Sequence, residues 1–407
     1  MRPEHRNPPP ERRGMSGPVM ALVSLLGSLL LAEVLLRLFH PIPDPMLTMK
    51  RVVPVSWPGT AYVPSAYPPH YLKRVHAEPG LPGIDTLTRT FSTNNLGYRG
   101  DSLAIPKPAG EVRVFMVGGS TTECVFLDDR EAVTRRLQDR LRAAYPGVNV
   151  RVYGAGRSGD KSWDHVAMVG QRIAHLQPDV IVVFAGINDV FAGAGGRDYL
   201  MRDTARPPSL KRLAMEAATE FQLPRLVLRA FSRVDPSEVD IRSEYRRLSA
   251  RARALPLADG PPRENVRPYE ENLHTLAGIA RAQGARMVFM TQATTWNARD
   301  PRPSEWHWMV GTRVRYREHD LDLAMERYND AMRRAAAADG APVFDLARSI
   351  PKSADFFYDD VHFNVAGADT TAAMLARFVV DHGVISRSGV LSSASPAAPP
   401  AAAGPRR

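Results

Sequence analysis

The sequence predicts an α/β protein built on a parallel, doubly wound sheet, and three observations lead there. A short run without a polar residue, Val114-Phe115-Met116-Val117, stops at Gly118-Gly119-Ser120-Thr121. A second apolar run, residues 180–185, stops in the same way at Gly186-Ile187-Asn188-Asp189. Segments with helical spacing separate these runs from three further strand-like ones, the alternation that builds a parallel sheet. Runs this short, rich in β-branched and aromatic residues, suit strands covered on both faces.

Taken in order, residues 1–14 are polar and proline-rich, with Arg2, Arg6, Arg12 and Arg13, and are expected on the cytoplasmic side. Residues 15–39 form an apolar stretch long enough to span a bilayer, uncharged from Gly17 to Ala32. Glu33 and Arg37 lie four apart on one helical face and can pair at the membrane boundary. No small-x-small cleavage site follows, so the stretch reads as an uncleaved signal anchor with the rest of the chain extracytoplasmic. Residues 40–110 hold many prolines and read as an extended spacer, with Thr93-Asn94-Asn95-Leu96-Gly97-Tyr98-Arg99-Gly100 as an ordered turn.

The domain expected over 111–385 opens with a strand at 112–117 and a helix near 129–144, whose Val133, Leu137 and Leu141 share a face. A strand at 149–153, the glycine-rich segment 154–160 and a helix at 162–176 follow, then the strand at 180–185. Helix 268–282 precedes a fourth strand at 286–291; helix 320–338 precedes a fifth at 342–346; a last helix runs from about 364 to 382. Residues 193–267 are arginine-rich and break the alternation, so they read as a helical insertion, placed either near the mouth of the site or as a surface excursion. Residues 386–407, a Ser/Ala/Pro segment, read as a disordered tail.

Composition excludes some functions. A hydrophobic content of 44% and a charged content of 24% are those of a globular protein. The formal charge of +10 comes from scattered arginines with no nucleic-acid-binding signature, so no nucleic-acid partner is expected. The single Cys124 cannot form an internal disulfide and reads as a small core residue. His165, His175, His274 and His319 lack paired metal spacing, so no metal is expected. Gly154-x-Gly156-x-x-Gly159 matches a dinucleotide fingerprint by letter, but no acidic residue stands at the end of the next strand, and no cofactor is expected.

Ser120 stands where a strand of an open α/β sheet delivers residues to a ligand, which makes it a nucleophile candidate rather than a turn filler. Asp359-Asp360-Val361-His362 places an Asp three residues before a His, so one short segment can supply a general base and the carboxylate that orients it. The backbone N–H groups of Ser120 and Gly159 and the side-chain amide of Asn188 suit an oxyanion, although Gly159 alone could be a turn glycine and Asn188 alone a helix cap. Trp306-His307-Trp308 reads as an aromatic cover for a core edge, with sugar stacking as the alternative.

Gly118-Gly119-Ser120-Thr121, Gly159, Gly186-Ile187-Asn188-Asp189 and Asp359-x-x-His362, in this order, resemble the four blocks of the SGNH/GDSL hydrolase family. The resemblance covers residues 113–382 and implies a flavodoxin-like, three-layer fold with a five-stranded parallel sheet. It also implies Ser120, Gly159, Asn188 and His362 as the functional quartet. One position departs: Gly119 stands where the family carries the Asp of its Gly-Asp-Ser motif. An ordinary α/β-hydrolase is disfavoured, because its nucleophile elbow needs glycine where Thr122 stands.

The activity expected from this resemblance is that of a membrane-anchored serine esterase. It would remove O-acyl groups, acetyl foremost, from an envelope or exported glycan through an acyl-Ser120 intermediate. An O-acyltransferase using the same triad and a non-catalytic glycan-binding protein are the alternatives. The location that goes with it is a single-pass protein of the bacterial inner membrane with its domain in the periplasm.

Overall fold

The computed structural model describes residues 17–42, 66–77, 79–193, 220–231, 238–240, 244–311 and 314–385. The expected cytoplasmic segment 1–14 and tail 386–407 lie outside the described residues. The chain divides into two compact units, Met1–Met49 with Pro208–Pro236, and Lys50–Pro207 with Ser237–Arg407.

In chain order the elements are α1 (Gly17–Phe39), β1 (Leu72–His76), β2 (Arg89–Ser92), β3 (Glu111–Gly118), α2 (Ser120–Glu123), α3 (Val133–Ala144), β4 (Asn149–Gly156), α4 (Ser162–Gln171) and β5 (Val180–Phe184). They continue with α5 (Ile187–Gly193), α6 (Gln222–Phe231), β6 (Glu238–Asp240), α7 (Glu244–Arg253), α8 (Val266–Ala282), β7 (Arg286–Met290), α9 (Glu318–Asp339), β8 (Val343–Phe344), α10 (Leu346–Ser349) and α11 (Val365–Asp381).

In the smaller unit, α1 is long and apolar enough to cross a membrane. Glu33, the carboxylate in this apolar helix, accepts from Arg37 Nε at 2.8 Å, as the i,i+4 spacing predicts. It does more than the spacing shows: the backbone N–H groups of Gln222 and Leu223 donate to its two oxygens at 2.8 and 2.9 Å. Those are the first donors of α6, which a helix cannot satisfy from within. Pro224 has none to satisfy.

The larger unit holds a five-stranded sheet in the order β4-β3-β5-β7-β8, every neighbouring pair parallel. Counted along the sheet this is the order 2-1-3-4-5, the flavodoxin-like arrangement, with its switch point between β3 and β5. Both β3 and β5 are buried at every position because helices cover both faces. On one side Val114, Met116 and Val182 pack with Leu137 of α3 and Leu375 of α11. On the other, Phe115, Ile181 and Val183 pack with Leu273 of α8 and Met332 of α9.

The structure corrects two expectations. Residues 66–110 are not an extended spacer: β1 and β2 pair antiparallel, β6 joins β1 in parallel, and the resulting three-stranded sheet has Val75 and Phe91 buried. The many prolines suggested a spacer, but the alternation of buried and exposed residues along β1 is strand periodicity. Residues 193–267 are not one insertion either. Their 208–236 portion belongs to the unit of α1, whereas β6 and α7 belong to the sheet unit. The fifth strand is shorter than expected, two residues against five, because Asp345 turns the chain into α10.

Candidate active site

The buried strand β3 ends at Gly118, and Ser120 opens the single turn of α2, with Cys124 in the left-handed conformation closing it. That turn is tied to its neighbours through the backbone. Arg157 N donates to Gly118 O at 3.1 Å, and Asn188 Nδ2 donates to Asp160 O at 2.8 Å. The ends of β3, β4 and β5 thus meet at the switch point, where ligands bind in open sheets of this kind.

His362 arrives from the far end of the chain on the tight loop before α11. This loop is closed by Tyr358 N to His362 O and Asn364 N to Phe356 O, both 3.0 Å. Asn364 caps α11 through Gly367 N at 2.9 Å, fixing the helix start three residues past the histidine. His362 Nε2 lies 2.8 Å from Ser120 Oγ, and Nδ1 lies 2.7 and 2.9 Å from the two oxygens of Asp359. With Nδ1 facing a carboxylate, the proton resides there, and Nε2 is left to accept from the serine hydroxyl.

Asp359 is fully buried. Burial alone would favour its neutral form, but the His362 charge, its hydrogen bond and the N–H groups of Val361 and His362 hold the carboxyl below its ordinary pKa. For His362 burial favours the neutral ring, and the adjacent Asp359 overrides it and raises the pKa. The pair can therefore stabilise an imidazolium as it forms.

The remaining sequence-predicted residues follow the ends of β4 and β5. Gly159 is exposed with φ +83°, a backbone conformation that favours glycine, and a Cβ there would meet no atom within 4 Å. Asn188 reaches the nucleophile turn directly: a Cβ on Gly119 would come within 2.7 Å of its Nδ2. The glycine that replaces the family's aspartate thus leaves room for the asparagine amide. Asp189, one residue on, accepts from Ser162 Oγ at 2.6 Å and Ser162 N at 3.0 Å, anchoring the start of α4 just past Gly159. Burial pushes its pKa up to about 6 against those bonds.

Two contributors were not read from the sequence. Trp308 Nε1 donates to Asp359 Oδ2 at 2.9 Å, and its ring lies parallel to that of His362, 4° apart in plane. The Trp306-His307-Trp308 segment is therefore more than a cover for a core edge. Asp360 is the second: buried, it accepts from Trp296 Nε1 at 2.7 Å and from the backbone N–H groups of Trp308 and Met309 at 2.7 and 3.0 Å, holding that segment against the loop of His362. The adjacent Asp359-Asp360 pair was a usable signal, since two consecutive buried carboxylates each require donors.

The arrangement is a serine hydroxyl, an imidazole and a buried carboxylate in an unbroken hydrogen-bonded chain. The family model for the GDSL-like lipase/acylhydrolase family matches residues 116–370, which span all of these groups. The chain belongs to this family. As a GDSL-like acylhydrolase it is a serine hydrolase acting on ester bonds. A search of curated proteins finds no match. Among solved structures, it is similar to LAE5, an alpha/beta hydrolase enzyme from the metagenome of Lake Arreo, Spain, at 18% identity over 68% of this chain and 96% of that one, TM-score 0.38. It is similar to TesA at 15% identity over 67% and 99%, TM-score 0.39. It is similar to Axe2, an acetylxylan esterase from Geobacillus stearothermophilus, at 18% identity over 68% and 97%, TM-score 0.37.

Proposed function

We propose that this GDSL-like hydrolase is a membrane-anchored esterase that removes O-acyl groups, acetyl foremost, from an envelope or exported glycan. The observation that carries the chemistry is the continuous chain Ser120 Oγ, His362 Nε2, His362 Nδ1, Asp359, with its separations of 2.8 and 2.7 Å. Ser120 attacks the ester carbonyl as His362 takes its proton, and Asp359 stabilises the imidazolium. The negative charge that develops on the carbonyl oxygen is received by the N–H groups of Ser120 and Gly159 and the Asn188 amide. Collapse expels the sugar hydroxyl, which takes the proton back from His362, and leaves an acyl-Ser120. Water, activated by the same histidine, then releases the acid.

The placement and the substrate size rest on separate supports. The apolar α1 and the arginines before it suit an anchor with the domain outside the cytoplasm. Ser158 and Gly159, just past β4, are exposed, which suits an ester projecting from a polymer.

Full-length protein in detergent, incubated with p-nitrophenyl acetate and followed by intact mass, tests the reading. An acetyl adduct and turnover are expected, and both vanish in Ser120→Ala. A folded wild type that shows neither sinks the esterase reading. Acetyl transfer to an added glycan without free acetate would instead assign an O-acyltransferase.

A further inference from the structure

Glu123 takes no part in the ester chemistry described above, yet it is the last residue of α2, the turn that Ser120 opens, and is only 4% exposed. A carboxylate so placed needs donors and a counter-charge. One of its oxygens accepts from the hydroxyl of Tyr67 and the other from the hydroxyl of Ser158. The counter-charge is the buried Lys73 of β1: burial lowers the Lys73 pKa, and the Glu123 charge opposes that. Tyr67 is itself held, stacked on Tyr71 at 5.2 Å and tilted against Phe91 at 4.9 Å. Tyr67 and Lys73 both precede residue 116, where the family match begins.

Ser158 lies in the loop after β4 and immediately precedes Gly159. Both residues are exposed, so burial does not fix this part of the loop. Hydrogen bonds do. On one side Arg157 N donates to Gly118 O at 3.1 Å, and on the other Asn188 Nδ2 donates to Asp160 O at 2.8 Å. Between these ties the Ser158 hydroxyl reaches across to Glu123, and the Arg157 guanidinium lies 4.1 Å over the Tyr67 ring. The backbones meet as well: a Cβ on Gly156, at the end of β4, would come within 2.3 Å of Glu123 N. One short helix therefore carries the nucleophile at its first residue and, at its last, the carboxylate that holds the Gly159 loop.

We propose that Glu123 is a positioning residue of this hydrolase: through the Ser158 hydroxyl it keeps the Gly159 N–H aimed at the ester oxygen, and Tyr67, from outside the matched family region, keeps Glu123 in place. This rests on the oxyanion role given to Gly159 above and names what fixes that donor. A donor stabilises the transition state fully only if it is already in position when the charge develops. A glycine at φ +83° in an exposed turn has many other backbone conformations open to it, so the neighbouring side chain must supply the restraint.

The test uses the full-length protein in detergent and two measurements, hydrolysis of p-nitrophenyl acetate and inhibition by phenylboronic acid. The boronate adds to Ser120 and places a B–O group where the oxyanion forms, so its inhibition constant reads the donors. Unlike turnover, that constant does not depend on how many molecules are folded. In Ser158→Ala kcat should fall about tenfold with KM little changed, and the inhibition constant should rise by the same factor, because the donor is lost to the transition state and not to the substrate. Ser158→Thr, which keeps the hydroxyl, should restore both. Tyr67→Phe keeps the ring and should cause a smaller loss that disappears in the Ser158→Ala background, since the Tyr67 hydroxyl acts through Glu123 on Ser158. An inhibition constant unmoved in Ser158→Ala, or losses that add in the double variant, overturns the proposal and leaves the esterase in place. A folded wild type that neither turns over the ester nor binds the boronate sinks both.

Discussion

His362 sits between opposing pressures, and their balance sets the working pH. Burial favours its neutral form, whereas the Asp359 carboxylate, bonded to Nδ1 at 2.7 Å, favours the charged one and prevails, so its pKa lies above the ordinary ~6.5. The base accepts the Ser120 proton only when neutral, so kcat/KM should rise with pH with a midpoint above ~6.5. A pH–rate profile with its midpoint at or below that value contradicts the assignment. The same raised pKa contributes stability that is complete below the unfolded value and is lost as pH rises through the folded one. Trp308 supports the other end of the chain. Trp308→Phe keeps a ring beside His362 but removes the donor to Asp359, and a lost hydrogen bond to a charged group should lower kcat about tenfold with KM little changed. Steady-state kinetics on a variant with wild-type melting would check this, and an unchanged kcat would make the indole a packing group only. That Ser120, Asp359 and His362 come together was legible from their places in an ordered set of blocks, since each of them alone has other reasons to stand in a turn or at a helix start. Trp308 was not, because an indole in a loop has many reasons to be there and its bond to Asp359 crosses some fifty residues of chain.

The elements show a similar division. The runs that became β3 and β5 were readable because both faces are covered, which leaves an uninterrupted apolar signature. The strand β1 hid among prolines, since its LKRVH sequence buries only Lys73 and Val75 and depends on β2 and β6 for pairing. The pairing of Glu33 with Arg37 was also readable, but the role of Glu33 at α6 was not, since capping across 189 residues leaves no local pattern. That contact carries its own prediction. Glu33→Ala removes the acceptor for the first two N–H groups of α6, and loss of such a cap costs about 0.5–2 kcal/mol. Hydrogen exchange should then accelerate at the Leu223 amide and through α6, with Glu33→Gln, which keeps one acceptor, intermediate. Exchange unchanged in Glu33→Ala would mean that α6 is held by its packing on α1 alone.

At the scale of the whole molecule, one apolar helix is joined to a chain of formal charge +10, and two kinds of membrane attachment follow from those two features. Attraction of scattered arginines to anionic lipid is electrostatic and is screened within about 10 Å at 0.1 M salt, so it should yield to a high-salt wash. Insertion of Gly17–Phe39 is hydrophobic and should not. Glu33 would be the expensive residue in such a span, but it lies near one end and is bonded to Arg37, so both charges can sit at the boundary rather than in the hydrocarbon. The full-length protein should therefore pellet with membranes through both high salt and alkaline carbonate and be released by detergent. Replacing Leu26 and Leu30, mid-helix and exposed, by arginine should abolish carbonate resistance, since each charge near the bilayer centre costs about 2.5–3.5 kcal/mol. Release of the unaltered protein by salt alone would assign its attachment to surface charge and remove the anchor from the proposal, leaving the Ser120–His362–Asp359 chemistry untouched.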